Sequence, residues 1–426
     1  MAEESVLSDE LLRDLIAVGE VDLLVGVPTY NNARTAGQVV RAVQVGFLKY
    51  FPRERTVLIN PDGGSTDGTQ EAVRNATVGD FQTLMTSQPL RTLHRISTPY
   101  HGNPGRENAL RTIFAAADLL RAKACAVIGA DLQSVTPEWV EGLIRPIYRD
   151  HFDLITPLYH RHKFDGLLIN NVLYPMVRAV YGTRVKEPLG SEFGVSARLT
   201  RSILETSLRV ENLRPGIDLR LVTSAMRDAY RLGQAFLGPK IHAPGYSEPD
   251  LATLLPQVIG TFFDCMETDE AYWIARTGSD AVPFFGFEYE LSLEPVRINR
   301  ERMLQVFRTG VRELASILDV ILDPETLEDV QRLASLDDPN IQFSDELWAK
   351  TVYEFAASYH HSVIHRDHLL QALTPLYLGR TSSFVAENLE TYSYDFERRL
   401  DALCLEYERL KQYLIDRWTL NQARHP

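Results

Sequence analysis

The chain has 426 residues, 45% of them hydrophobic and 24% charged, which is typical of a globular protein with two or three domains. The net charge of −13 argues against a nucleic-acid backbone as the main partner, because phosphate binding favours a basic face. Three scattered cysteines, an acidic start without a signal-peptide pattern, and no apolar run near the roughly 20 residues of a membrane helix predict a cytoplasmic protein with no membrane segment.

Apolar runs alternate with segments of helical periodicity about five times in the first ~160 residues. The runs that predict strands are DLLVGVPTY, TVLINPD, RTLHRISTPY, ACAVIGAD and FDLITPLYH. This alternation predicts an α/β protein with right-handed crossovers and a mostly parallel sheet. Since ligands of such sheets lie beyond the carboxyl ends of the strands, the residues that end each strand are the first candidates for a site.

The rest of the chain divides less regularly. Residues 167–182 and the segment LRPGIDLRLVTSAMRDAY predict helices, and EPLGSEFGVSARL predicts a loop and a strand. Helical periodicity stops around residues 279–296 and resumes from about 298. We therefore predict an N-terminal helix in residues 1–20, a catalytic α/β domain in 21–280 and a helical domain in 281–426. That last domain could close a ligand pocket or form a homodimer interface.

Charged residues follow several predicted strands. Asp131 ends an apolar run, and a carboxylate is a suitable ligand for Mg²⁺ or Mn²⁺ shared with a diphosphate. His242, in a loop, could complete that site, and Arg106, at a helix start, could face a phosphate. Asp62 could accept a hydrogen bond from a nucleotide base. Each has a purely structural alternative: helix capping for Asp131, an Asx turn for Asp62, and an ordinary loop or surface role for the other two.

Other motifs exclude some classes of enzyme. The turn GNPGREN is neither GxGxxG nor a P-loop, which argues against dinucleotide and P-loop enzymes. His361, His365 and His368 have helical spacing, but no metalloenzyme carboxylate motif surrounds them, so a packing role or a place in the acceptor pocket is favoured over zinc.

Several segments, in this order, resemble nucleotide-sugar glycosyltransferases of the GT-A fold: VPTYNNARTAGQVVRAV, NPDGGSTDGT, GNPGREN, GADLQSVTPEWVEGL, EPLGSEFGV, PGIDLRL and GPKIHAPGY. Within that fold the chain is most similar to the retaining mannosylglycerate synthase and glucosyl-3-phosphoglycerate (or glucosylglycerate) synthase group. The resemblance covers roughly residues 20–265, and more weakly the helices that follow.

The resemblance implies a set of site residues. It places the nucleoside against Pro28, Thr29, Tyr30 and Asn32, with Asp62 at the base, and the diphosphate and donor sugar near Gly105 and Arg106. It assigns Asp131 and His242 to the metal. It places Leu189 and Gly190 beside the sugar, and Glu192 and Asp218 as the catalytic residues that position the sugar and stabilise positive charge at its ring.

The sequence also departs from the family pattern. Gly129-Ala130-Asp131 stands where the family has Asp-Xaa-Asp, which removes one carboxylate. Asn103-Pro104 replaces the lysine of the Gly-rich turn, with Arg106 as a substitute, and Asn32 stands where many members have Glu.

The predicted reaction is a metal-dependent transfer, with retention, of glucose or mannose from GDP-mannose, UDP-glucose or GDP-glucose. The predicted acceptor is a small hydroxy acid such as D-glycerate or 3-phosphoglycerate, in compatible-solute synthesis. The residues after the fifth strand could bind its carboxylate, with Arg161 the best bidentate partner, or form a solvated basic loop: these are Tyr159, Arg161, His162 and Lys163. The alternatives are an inverting GT-A enzyme acting on a glycan or glycolipid and a non-catalytic nucleotide-sugar-binding protein.

Overall fold

The computed structural model describes residues 7–76, 93–99, 105–206, 216–242, 251–288 and 298–420, with Leu293 and Val296. Most of its strands form one eight-stranded sheet in the order β10-β8-β5-β7-β4-β1-β2-β3, and β6 and β9 form a separate pair. In chain order the strands are β1 Leu23–Gly26, β2 Thr56–Asp62, β3 Leu93–Pro99, β4 Ala124–Val127, β5 Leu154–His160, β6 Thr183–Arg184, β7 Phe193–Ser196, β8 Leu232–Pro239, β9 Asp280–Ala281 and β10 Phe284–Phe285.

The eight-stranded sheet is mostly parallel, which confirms the predicted fold class. Strand β1 pairs in parallel with β2 and β4, β2 with β3, and β8 with β5 and β10. Strand β7 lies between β4 and β5 and is antiparallel to both. The carboxyl ends of the parallel strands therefore share one edge, where a ligand crevice forms in such sheets.

Helices cover both faces of the sheet because their apolar residues recur at helical spacing. In α2, for example, Val39, Val43 and Phe47 are all buried. The helices before residue 280 are α1 Asp9–Val18, α2 Ala36–Tyr50, α3 Thr69–Arg74, α4 Arg106–Leu119, α5 Pro137–Asp150, α6 Tyr174–Tyr181, α7 Ala197–Glu205, α8 Ile217–Arg227, α9 Leu251–Thr268 and α10 Glu270–Ala275. A five-residue π-helix, Ile169–Leu173, leads directly into α6.

The C-terminal part is helical, as predicted. Its described helices are α11 Arg300–Glu313, α12 Ala315–Ile321, α13 Pro324–Ser335, α14 Asp345–His360, α15 Arg366–Asn388, α16 Ser393–Arg409 and α17 Lys411–Thr419. Strands β9 and β10 pair with β6 and β8, so residues 281–285 add to the α/β region, and the helices begin about 20 residues after the boundary predicted at 280.

The helical part packs directly on the α/β part. One hydrophobic core extends from Val177 in α6 to Val352 in α14 and Leu403 in α16, whereas a second core lies between the sheet, α2 and α5. Arg178, 2% exposed, forms ion pairs with Asp401 at 2.5 Å and Glu408 at 2.7 Å. The shared core and the Arg178 ion pairs hold the C-terminal helices against the α/β part. None of the described helices combines the length and apolar character that a membrane crossing requires.

Candidate active site

Several predicted site residues lie at the carboxyl ends of β1 and β2, and hydrogen bonds between them connect the two strand ends. Pro28 and Thr29 extend β1, and Thr29 forms an isolated parallel bridge with Asp62. The Thr29 hydroxyl donates to Asp62 Oδ1 at 2.8 Å, and the Asn60 amide donates to the Val27 carbonyl at 2.7 Å. These contacts fix the backbone of both strand ends.

Asp62 is almost completely enclosed. It is 1% exposed and accepts five hydrogen bonds, from the Thr29 and Ser65 hydroxyls, the backbone N–H groups of Gly64 and Ser65, and the Gln70 amide. Burial opposes ionisation, but the Gln70 and Ser65 hydrogen bonds lower the pKa of Asp62. The Asx-turn interpretation accounts for these contacts, since a carboxylate has about four lone-pair sites and all are engaged.

The loop after β1 presents an aromatic ring to solvent. Asn32 Oδ1 accepts from the Tyr30 N–H at 2.8 Å, and the Asn32 N–H donates to Thr69 Oγ1 at 2.7 Å. Asn31 has φ 55°, which an Asn tolerates. The Tyr30 side chain is 54% exposed, which suits stacking on a nucleoside.

Asp131 and His242, 111 residues apart in the sequence, lie side by side. Leu132 forms an antiparallel bridge with His242, and the Gln133 N–H donates to the Ile241 carbonyl at 2.8 Å. The Asp131 carboxylate lies 3.0 Å from His242 Nδ1. Burial acts to raise the pKa of Asp131, but the His242 hydrogen bond and the charge of Lys240 lower it. The carboxylate is therefore ionised near neutral pH and can bind a cation.

Gly129 lies against the Glu192 carboxylate. A Cβ atom added at Gly129 would lie 2.7 Å from Glu192 Oε1 and 2.9 Å from Asp131 Oδ1. The Glu192 carboxylate thus occupies the space into which a residue-129 side chain would project, and only glycine leaves that space free.

Glu192 is buried within a charged hydrogen-bond network. It is 1% exposed, accepts a hydrogen bond from the Tyr159 hydroxyl, and lies 3.1 Å from Lys240 Nζ. The Lys240 ammonium also lies 4.8 Å from the centre of the Tyr159 ring. Burial and the charge of Glu192 raise the pKa of Tyr159 well above its ordinary value. The Tyr159 hydroxyl therefore keeps its proton and donates a hydrogen bond to Glu192.

Arg106 and Asp218 form a bidentate ion pair beside this network. Arg106 Nε lies 2.8 Å from Asp218 Oδ2, and Nη2 lies 2.9 Å from Oδ1. Nη2 also donates to the Ser191 carbonyl. Arg106 is the first residue of α4, after Gly105, and Asp218 lies in the first turn of α8. The pair therefore links two helix starts to the loop before Glu192.

That loop needs glycine at position 190. A Cβ at Gly190 would lie 2.2 Å from Pro157 Cγ, so the loop packs its backbone directly against β5. The Gly190 N–H donates to the Glu187 carbonyl at 3.0 Å, and Leu189 packs against the hydrophobic core. This close packing holds Glu192 at the crevice.

The predicted acceptor residues have different environments. Arg161 Nη2 lies 3.0 Å from Glu187 Oε2, and the guanidinium carbon is 5.0 Å from the centre of the Tyr159 ring. Lys163 Nζ donates to three backbone carbonyls at the end of α15, of Asn388, Leu389 and Thr391, at 2.7 to 2.9 Å. His162 Nδ1 accepts from the Phe164 N–H at 3.2 Å. Lys163 therefore connects the α/β part of the chain to the C-terminal helices.

These four residues line a cavity of about 410 Å³ between β5, the π-helix and α16. The cavity adjoins the Glu192 network, because Tyr159 belongs to both. Its far wall is formed by residues of α16, namely Tyr394, Phe396, Glu397 and Leu400.

Two residues of this region were missed by the sequence interpretation. Lys240 has no motif of its own, but it stands two residues before His242, and side chains at this spacing on an extended segment share a face. Glu187 carried no such signal, because nothing in the sequence indicates that its loop folds back to Arg161.

The three C-terminal histidines lie where α14 ends and α15 begins. Over the described ranges, no group of three or more His, Cys, Asp or Glu residues could hold an ion by protein ligands alone. His361 Nε2 lies 3.0 Å from the Arg417 carbonyl, and the His365 and His368 rings are 5.3 Å apart.

We expect Gly129→Ala to lower transfer activity by about 10- to 100-fold with little loss of stability, because displacing an active-site group by about 1 Å has effects of this size. The added methyl group can be accommodated only if the Glu192 and Asp131 carboxylates both shift. The matched control is Gly142→Ala in α5, where the nearest atom to a new Cβ is 3.5 Å away. Initial rates and melting curves of both variants test this expectation. A Gly129→Ala variant with full activity would contradict it.

Comparison with known proteins gives matches to solved structures alone. No protein-family profile matches the chain, and no curated protein does. Glucosyl-3-phosphoglycerate synthase from Mycobacterium tuberculosis, in complex with Mn²⁺, UDP and glucosyl-3-phosphoglycerate, is 19% identical over 63% of this chain and 87% of that chain, with a TM-score of 0.43. Its complex with Mg²⁺ and UDP is 19% identical over 63% and 85%, with a TM-score of 0.44. A mycobacterial protein is 21% identical over 60% and 78%, with a TM-score of 0.42.

Proposed function

We propose that this protein is a metal-dependent hexosyltransferase that uses a nucleoside diphosphate sugar. The observation that carries the proposal is the pairing of Asp131 and His242 at the carboxyl edge of a mostly parallel sheet. The buried Glu192 lies next to this pair. This position is where ligands of such sheets bind.

The residues present fit a divalent cation. Mg²⁺ is commonly held by one or two carboxylates together with substrate phosphates and water, so Asp131 and His242 do not need a third protein ligand. The ion, when bound, would neutralise charge on the departing diphosphate. The nucleoside would lie against Pro28, Thr29, Tyr30 and Asn32, with the exposed Tyr30 ring as a stacking surface. In this proposal Asp62 shapes that pocket through its Asx turn and reaches the base only if the turn opens.

The chain's own residues would orient the hexose. Arg106, held by Asp218, would place its remaining N–H groups beside the sugar and diphosphate, near Gly105. In this proposal Asp218 and Glu192 face the anomeric carbon, where fixed carboxylates stabilise the positive charge that develops. Leu189 and Gly190 would close the sugar pocket. An acceptor hydroxyl then attacks the anomeric carbon from the cavity beyond Tyr159, which releases nucleoside diphosphate and a proton.

The finer details of the proposal are a glucose or mannose donor, retention of configuration and a small hydroxy-acid acceptor. A hydroxy acid needs a cation near its carboxylate, and Arg161 is the predicted one, with Tyr159, His162 and Lys163 around it. A compatible-solute product would follow from D-glycerate or 3-phosphoglycerate as acceptor.

A screen of donors against acceptors tests the proposal. UDP-glucose, GDP-glucose and GDP-mannose are each incubated with the protein and with Mg²⁺, Mn²⁺ or EDTA, and released nucleoside diphosphate is measured. We expect release with one donor, and loss of that release with EDTA. No release from any donor would exclude an enzyme and favour a nucleotide-sugar-binding protein. NMR of the product's anomeric centre separates retention from the inverting alternative.

A further inference from the structure

The cavity lined by Tyr159, Arg161, His162 and Lys163 is called the acceptor cavity below. The charged side chains around it limit how much negative charge a bound acceptor can carry. The basic lysine and arginine side chains that line it are Arg161, Lys163 and Lys186, and the carboxylates are Asp165, Glu187, Glu288 and Glu397. Among the described residues the carboxylates thus outnumber these cations by four to three. Two histidines, His160 and His162, also line the cavity. Burial and the neighbouring Lys163 lower the pKa of His162, so His162 adds little positive charge near neutral pH.

Each of the three cations already has a partner within the protein. Lys186 Nζ lies 2.6 Å from Glu397 Oε2, and Arg161 Nη2 lies 3.0 Å from Glu187. The three protons of the Lys163 ammonium match the three carbonyls to which it donates. The cavity therefore has no net positive charge from these side chains with which to hold a multiply charged anion.

Burial raises the pKa of Glu187. Even a protonated Glu187 would leave three cations and three carboxylates around the cavity, so this conclusion does not depend on its protonation state. A phosphate ester brings about two further negative charges close to Asp165, Glu288 and Glu397, and like charges at such range repel strongly when partly desolvated.

The Arg161 guanidinium can still bind one carboxylate of an acceptor. Arg161 uses Nη2 for Glu187, whereas its Nη1 lies 3.8 Å from Asp165, beyond hydrogen-bonding distance. Within the part of the chain that the structure describes, Nη1 is therefore available to one acidic group of an acceptor.

We propose that the acceptor is a hydroxy acid with a single negative charge and no phosphate group, bound through Arg161. This inference rests on the proposed function, and it distinguishes D-glycerate from 3-phosphoglycerate as representatives of the two classes.

Calorimetric titration of the full chain tests the inference. D-Glycerate and 3-phosphoglycerate are each added to the protein in the presence of Mg²⁺ and of UDP or GDP. We expect D-glycerate to bind at least about tenfold more tightly, since removal of unfavourable charge contacts has effects of this size. Equal or tighter binding of 3-phosphoglycerate, or no binding of either acid, overturns the inference. Failure of the proposed function is seen separately, as no release of diphosphate from any sugar nucleotide.

Charge variants show whether the cavity carboxylates cause the preference. Glu187→Gln should reduce the ratio of the two dissociation constants by about tenfold, and the half-exposed Glu397→Gln by about threefold, because solvent screens its charge. Glu397→Gln serves if Glu187→Gln fails to fold. The matched control is Glu406→Gln, also on α16, where Glu406 pairs with Arg409 outside the cavity. An unchanged ratio in Glu397→Gln and in folded Glu187→Gln overturns the inference.

Discussion

Asp131→Asn and His242→Ala will each lower metal-dependent transfer by more than about tenfold, because each removes one of the two protein ligands of the proposed ion. Asparagine keeps the size of the Asp131 side chain, and its oxygen can still face His242, which lies 3.0 Å away. The loss should therefore reflect charge more than folding. It is measured as the rate of nucleoside diphosphate release over a range of Mn²⁺ concentrations, and the half-saturating Mn²⁺ concentration should rise.

Two matched variants control for general effects of removing a carboxylate or an imidazole. Asp118→Asn changes an exposed residue of α4, and His368→Ala changes an exposed residue of α15. Both should retain the Mn²⁺ dependence of the unmodified protein. If Asp131 and His242 hold one ion, as proposed, the loss in the double variant should be smaller than the product of the single losses. Full activity and an unchanged Mn²⁺ requirement in both single variants would end the metal assignment.

The positions of the central strands could be predicted from the sequence, because each depends on a short run of neighbouring residues. The runs at residues 57–59 and 124–127 are apolar throughout, since strands in the middle of a parallel sheet are covered on both faces. The same logic identified Asp131, because a carboxylate directly after such a run must emerge at the sheet edge.

The contacts between these segments could not be predicted in the same way. Arg106 and Asp218 are 112 residues apart, and neither residue has a local pattern that indicates the other. The resemblance placed both near the donor sugar, whereas their bidentate pairing depends on the relative positions of α4 and α8. The role of Gly129 was also hidden, since it depends on where the Glu192 carboxylate lies.

The boundary between the two parts of the chain shows a further limit. Periodicity stops near residue 279 in the sequence, and this suggested a new unit from 281. Phe284 and Phe285 instead form an edge strand beside β8. A two-residue strand is too short to show alternation, and its pairing depends on an edge that exists only once the sheet has formed.

Replacing Lys240 by methionine will have the largest combined effect on stability and activity. Glu192 is 1% exposed, and its carboxylate would keep the Tyr159 hydroxyl but lose the ammonium 3.1 Å away. Removal of one partner from a buried ion pair costs about 3 kcal/mol, because the remaining charge is left without compensation. Under the proposed function transfer should also fall by at least about 100-fold, since the Tyr159 hydroxyl alone would not fix the position of the Glu192 carboxylate.

A double variant separates the structural from the catalytic part of this effect. Glu192→Gln removes the buried charge, so Glu192→Gln/Lys240→Met should recover most of the lost stability while transfer stays low. Urea unfolding gives the stabilities, and diphosphate release gives the rates. Lys411→Met provides a comparison, because Lys411 is also a buried lysine, but it donates to the Val180 and Arg276 carbonyls, away from the crevice. If activity returned together with stability in the double variant, Glu192 and Lys240 would have a structural role and the carboxylate would have no part in the transfer.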